Sequence, residues 1–262
     1  MHLLLGSAAV VGIIVALCES LRSLTHSKVH PGLAQDLLIE VLSTLQLSCC
    51  TREMVVLGTL GGIQPWLALS LTYLLTVLHC LTSQGASCNP CGSLEQWLRA
   101  RTPGLHIMFR VGAQFVGAVL SQVLMPLIWL LRLSPLHERD EECKSPLTMT
   151  PWQGALVEMT CALSLFLALH FLPRVESQYR PHVVALTITT IVSVGGPLTG
   201  AVFNPALSFA VVFSCQGNSF LQYVTVYWIG PIIGMVASIV ILERCIPKLR
   251  QHRPFSRDIK RD

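Results

Sequence analysis

Two asparagine–proline pairs, Asn89-Pro90 and Asn204-Pro205, are the residues of this chain best suited to act on a passing molecule. Each closes one pattern, G-A-x-x-N-P and a small residue: Gly85-Ala86-Ser87-Cys88-Asn89-Pro90-Cys91 and Gly200-Ala201-Val202-Phe203-Asn204-Pro205-Ala206. Proline suits a first helical turn, where its missing N–H would be unpaired anyway. Each motif therefore reads as a stopped backbone course followed by a helix start. The asparagine amide offers donors and an acceptor without charge, which is chemistry for orienting an oxygen. Two such breaks in matching halves of a hydrophobic chain point to a site at the bilayer midplane, and so to a pore.

The 262 residues are 52% hydrophobic and 12% charged, with mean hydropathy +0.60. Soluble domains carry about a quarter charged residues, so this is the balance of a polytopic membrane protein. The net charge of +4 is no nucleic-acid signature, because seven basic residues gather in the tail 244–262. By the positive-inside rule that tail is cytoplasmic. Most of the ten cysteines sit in apolar runs (Cys18, Cys49, Cys50, Cys80, Cys161) and read as small hydrophobes. Cys88 and Cys91 have C-x-x-C spacing but straddle the Asn-Pro break, which argues against a metal or redox pair. No HExxH, GxSxG or paired intramembrane aspartates occur, so no catalytic residue, metal or cofactor is expected.

The elements that must position the two asparagines are apolar spans, read at 36–57, 66–82, 105–131, 152–172, 181–196 and 220–243. An earlier run, Leu3 to Cys18, lacks a basic leader and reads as an extra anchoring helix, with a cleaved signal peptide as the alternative. A 22–35 linker follows it. Placing that linker inside puts Arg22, Lys28, Arg99, Arg101, Arg174, Arg180 and the tail on the cytoplasmic face. Arg52, Arg132, Arg139 and Lys144 fall opposite. The halves 36–131 and 152–243 repeat: Glu40 answers Glu158, Asn89 answers Asn204, and Gln114-x-x-Gly117 answers Trp228-x-x-Pro231. Three spans per copy make the second copy enter from the opposite face. The expected fold is all-α, an inverted repeat of three spans and one re-entrant half-helix each, with the N-terminal segment 1–35 and basic tail 244–262 outside it.

These residues resemble the aquaporin family. Glu40-x-x-x-Thr44, Ala113-Gln114-x-x-Gly117-Ala118, Gly196-x-x-Thr199-Gly200 ahead of Asn204-Pro205-Ala206, and Tyr227-Trp228-x-Gly230-Pro231-x-x-Gly234 are similar to its span signatures, over about 36–243. Asn89-Pro90-Cys91 in place of Asn-Pro-Ala, and Cys215 nine residues beyond Ala206, look like its unorthodox, or superaquaporin, branch. The resemblance implies a constriction of Leu69, Val192, Ala201 and Leu207, with Leu207 where water-selective relatives carry arginine. It also implies that Glu40 and Glu158 brace the re-entrant loops and that Cys215 matters for folding, assembly or activity. Buried small residue remains the plain alternative for Cys215. Cys143 lies in a charged, solvated loop where a disulfide could form, with no evident partner. Gly112, Gly117 and Gly230-x-x-x-Gly234 are expected to permit close helix approach. His79 and His170 read as packed or interfacial side chains on apolar spans.

The expected activity is passive passage of water and small neutral solutes such as glycerol and hydrogen peroxide past Asn89 and Asn204. The alternatives are a secondary transporter, for which no coupling groups are visible, and a non-conducting membrane scaffold. The resemblance further implies a homotetramer in the lipid bilayer of the endoplasmic reticulum or another intracellular membrane, with the plasma membrane as the other address. No nucleic-acid partner is expected.

Overall fold

The computed structural model describes residues 2–138 and 142–245. The tail from Ile246 onward, together with Arg139, Asp140 and Glu141, lies outside them. The described chain is helical: α1 His2–Lys28, α2 Leu33–Leu60, α3 Pro65–Thr82, α4 Pro90–Leu98, α5 Gly104–Trp129, α6 Pro151–Phe171, α7 Arg180–Thr199, α8 Pro205–Val211, α9 Phe220–Val224 and α10 Gly230–Val240. A π-helical turn, Thr225–Ile229, joins α9 to α10 into one long element. Seven of these helical stretches are long and apolar enough to cross a membrane. The short α4 and α8 are the two half-helices, each started by proline behind an asparagine cap.

In lipid the hydrophobic effect does not drive helices together, so small residues that admit close backbone contact carry much of the packing. Two glycines do this in matching places. A Cβ on Gly117 of α5 would meet the Val41 carbonyl at 2.6 Å, along with Thr44 and Leu45 of α2. A Cβ on Gly234 of α10 would collide with the Met159 carbonyl, beside Ala162 and Leu163 of α6. Val41, Thr44 and Leu45 stand at the same offset from Met159, Ala162 and Leu163 as Glu40 does from Glu158. Gly117 therefore answers Gly234, and the expected match of Gln114-x-x-Gly117 to Trp228-x-x-Pro231 is three residues out of register. A Cβ on Gly230 would also meet the Ala155 carbonyl, at 2.7 Å. Gly112 meets nothing within 4 Å of an added Cβ, so its expected packing role is not present.

Helix α1 runs through Cys18 to Lys28, occupying much of the stretch read as linker. It lies antiparallel to α2, its Val10, Ile14 and Cys18 buried with Leu45, Cys49, Cys50 and, from α5, Met125 and Ile128. Its 27 residues span about 40 Å at 1.5 Å per residue, enough for a full bilayer. Near its start, Gly6 packs on the backbone of Leu133 and Ser134 beyond α5. Arg52, within α2, donates from Nη1 to the Ala210 carbonyl of α8 at 2.7 Å.

The α5–α6 connection is pinned to the segment following α8. Cys143 and Cys215 form a disulfide, which supplies the partner that the sequence left open and shows that Cys215, though buried, is more than a small packed residue. Backbone bonds flank it: Gln216 N–H to the Cys143 carbonyl and Ser145 N–H to the Gln216 carbonyl, both 2.8 Å. Asn218 Nδ2 donates to Ser145 Oγ beside them. Seven further cysteines, Cys18, Cys49, Cys50, Cys80, Cys88, Cys91 and Cys161, are free thiols. All but Cys80 are buried.

Candidate pore

The two half-helices meet at their N-termini. Asn89 and Asn204 cap them with nearly equal backbone angles, φ −144°, ψ 118° and φ −147°, ψ 110°. Asn89 Oδ1 accepts from the Cys91 N–H at 2.9 Å. Asn204 Oδ1 accepts from Ala206 and Leu207 N–H at 3.0 and 3.2 Å. These bonds satisfy helix-start donors that would otherwise be unpaired.

The amide nitrogens then cross between repeats. Asn89 Nδ2 donates to the Phe203 carbonyl at 3.2 Å, and Asn204 Nδ2 donates to the Cys88 carbonyl at 2.8 Å. Each asparagine thus grips the carbonyl immediately preceding the other. An amide nitrogen carries two hydrogens, so each reciprocal bond leaves one N–H to offer elsewhere.

Presenting those carbonyls takes an unusual backbone. Cys88 and Phe203 both have left-handed φ, 52° and 37°, and neither is glycine. Such a conformation costs about 1–2 kcal/mol per residue. Two buried carboxylates hold it in place. Glu40 on α2 accepts from Ser87 N–H at 3.2 Å and Cys88 N–H at 2.6 Å. Glu158 on α6 accepts from Val202 N–H at 3.1 Å and from Phe203 N–H. Charge-assisted bonds of this kind contribute about 1.5–3 kcal/mol each, enough to offset the backbone cost.

The surrounding partners differ between the copies. Gln114 Nε2 on α5 donates to Glu40 Oε1 at 2.7 Å and to Ser93 Oγ at 3.0 Å, and Arg110 Nε stands 3.7 Å from Glu40. Opposite, Thr199 Oγ1 donates to Glu158 at 2.6 Å, and Tyr227 OH donates to the Thr199 carbonyl at 2.8 Å.

Of the four expected constriction residues, the structure brings two together. Val192 and Ala201 share an apolar cluster with Cys91, Cys161 and Phe203. Leu207 is partly buried at the edge of a second apolar cluster, that of Val202, Val212, Tyr223, Val226 and Tyr227. Leu69 belongs to neither cluster and stays half-buried on α3. Pro90, Pro205, Cys91 and Ala206 are all buried at the two helix starts. Sequence reasoning passed over Cys88 and Phe203, whose carbonyls accept the two amide bonds of the lock. Their position directly before each asparagine was the available signal. His79 is half-buried with its enclosed Nδ1 unpaired, and His170 stacks edge-on to Phe171.

Paired half-helices, locked head to head inside an inverted helical repeat, define a membrane channel fold. The sequence model of the Major intrinsic protein family matches residues 65–241, and this chain belongs to that family. Aquaporin-11 of Equus caballus is 35% identical over 235 residues, covering 88% of this chain and 86% of that one. Putative aquaporin-12A of Homo sapiens is 36% identical over 245 residues, covering 92% and 80%. Among solved structures, the aquaglyceroporin from Plasmodium falciparum superposes with a TM-score of 0.65 at 16% identity, over 84% of this chain and all of that one. That likeness establishes the fold. Family and fold together make this a multi-pass channel protein for water or small solutes.

Proposed function

We propose that the chain is a passive channel for water and small neutral solutes, glycerol and hydrogen peroxide among them, whose path runs past Asn89 and Asn204. The reciprocal amide–carbonyl lock is the observation that carries this reading. It fixes both amides rigidly and leaves one N–H on each to donate to a passing oxygen. A molecule held from both repeats is oriented, which interrupts a proton-conducting file of waters. The two facing helix N-termini add positive potential that disfavours cations. No charged side chain is among Leu69, Val192, Ala201 and Leu207, so a constriction formed by them would be apolar and wider than one holding arginine. Such a lining favours uncharged solutes over strict water selection. A homotetramer, each protomer with its own path, in an intracellular membrane such as the endoplasmic reticulum completes the proposal.

The test is flux through the purified full chain in proteoliposomes, read for water, glycerol and hydrogen peroxide against empty vesicles. All three should exceed the vesicle background. Leu207→Arg should lower the glycerol-to-water ratio; an unchanged ratio removes Leu207 from the selecting residues. Absence of flux for every solute, from folded protein, would favour the scaffold reading.

A further inference from the structure

Arg22 is fully buried although it stands on α1, which belongs to neither repeat. An intramembrane ionisable group normally has a partner and a purpose, and here the partners lead to the pore. Arg22 donates from Nε and Nη2 to Glu19 Oε2 at 3.0 and 2.9 Å, keeping its charge paired with a carboxylate whose side chain is 48% exposed. Its other bonds run inward. Nη2 donates to Gln46 Oε1 at 2.6 Å, and Gln46 Nε2 donates on to Thr82 Oγ1 at 2.8 Å. Nη1 reaches Ser43 Oγ at 3.4 Å, and Ser43 Oγ donates to the Ser83 carbonyl at 3.2 Å. One turn further along α1, His26 Nε2 bonds Gln84 Oε1 at 2.6 Å.

Thr82, Ser83 and Gln84 lead directly into the loop that Glu40 holds at Ser87 and Cys88. The second repeat is built differently at this place. The residue before its motif glycine is Thr199, whose side chain turns inward to Glu158. The residue before Gly85 is Gln84, with φ 53°, and its side chain turns outward to α1. The first repeat thus lacks the inward bond that the second repeat makes for itself, and the extra helix takes over that end of the loop.

We propose that α1 is a brace of the pore and that Arg22 is a positioning residue, which fixes the approach to Asn89 through Gln46 and Ser43. The flux part of this claim rests on the channel reading above; the bracing part does not. Arg22 touches no permeant. It sets how rigidly the Cys88 carbonyl and the Asn89 amide are held, and therefore which solutes pass.

The experiment uses the full chain in proteoliposomes, comparing wild type, Arg22→Met, Arg22→Lys and Ser43→Ala. Hydrogen exchange is read separately on the loops 83–88 and 199–203, and flux as the glycerol-to-water ratio. Arg22→Met should speed exchange in 83–88 by about tenfold or more, the size of losing one bond to a charged group. Exchange in 199–203 should stay put and the glycerol-to-water ratio should shift. Lysine keeps the charge without the fork and should restore both readouts in part. Should the methionine variant fail to fold, Ser43→Ala gives the same comparison with one link removed. Faster exchange in both loops alike, or in neither, overturns the brace. Faster exchange in 83–88 with a wild-type flux ratio overturns the positioning role. A wild type without any flux sinks the channel reading, and the exchange pattern then decides the brace alone.

Discussion

The Cys143–Cys215 disulfide closes a loop with a sequence separation of 72 residues, and its removal makes a quantitative prediction. Chain-entropy arguments give a cross-link of that span about 4 kcal/mol of stabilisation. The enclosed segment contains α6 and α7, apolar helices that stay in the detergent micelle when tertiary contacts are lost. The denatured ensemble is therefore already restrained, and about 4 kcal/mol is a ceiling. At 2–4 °C per kcal/mol for a chain of this size, that ceiling corresponds to a fall in the melting midpoint of roughly 8–16 °C, and the observed fall should be no larger. Cys143→Ser, Cys215→Ser and the double variant all break the same single bond, so their midpoints should coincide. Reductant should lower wild type to that value and leave the variants unchanged. The assay is thermal unfolding of purified full-length protein in detergent, with and without reductant. If the double variant loses the sum of the two single losses, or reductant leaves the wild-type midpoint alone, the two cysteines act separately and the reasoning fails.

The other variants probe the braces and the packing. Glu158→Gln swaps one accepting oxygen for a donor facing N–H and O–H groups at Phe203, Val202 and Thr199. It should cost about 1–3 kcal/mol and reduce flux, read by thermal unfolding and vesicle assay; a wild-type midpoint would show that Glu158 is not bracing that loop. Gly234→Leu must displace the Met159 backbone, and the variant should fail to give folded protein, whereas Gly112→Ala, with open space around it, should behave as wild type in size-exclusion profile and yield.

The spans were legible because their hydrophobic runs are long, and the two motifs because proline and asparagine stop and restart a helix wherever they occur. Glu40 and Glu158 could be found because a carboxylate inside an apolar span needs donors, and the loops supply backbone N–H groups. The failures have local causes. The third spans are out of register because Gln114-x-x-Gly117 is paired with Trp228-x-x-Pro231, when the backbone contact that defines the repeat is made by Gly117 and Gly234. The π-helical turn Thr225–Ile229 just before α10 shifts the helical phase. Arg22 looked like a linker charge, since it follows the apolar run Leu3–Cys18, and no periodicity in α1 announces that its guanidinium faces α2. The Cys143–Cys215 pair is a long-range contact between two loops, and spacing alone carries no information about which cysteines approach.

The central claim is that Asn89 and Asn204, locked to each other's loops, pass neutral molecules and stop protons. Asn204→Asp tests it most directly, because it places a carboxylate oxygen where Nδ2 now donates to the Cys88 carbonyl at 2.8 Å. Acceptor would face acceptor, the lock would open on that side, and a negative charge would enter the junction of two positive helix ends. Water flux and proton leak should be measured together in proteoliposomes, with an internal pH dye under an imposed potential. The account predicts water flux without proton leak for wild type, and reduced water flux with a measurable leak for Asn204→Asp. Equal water flux and equal proton tightness in both would contradict it.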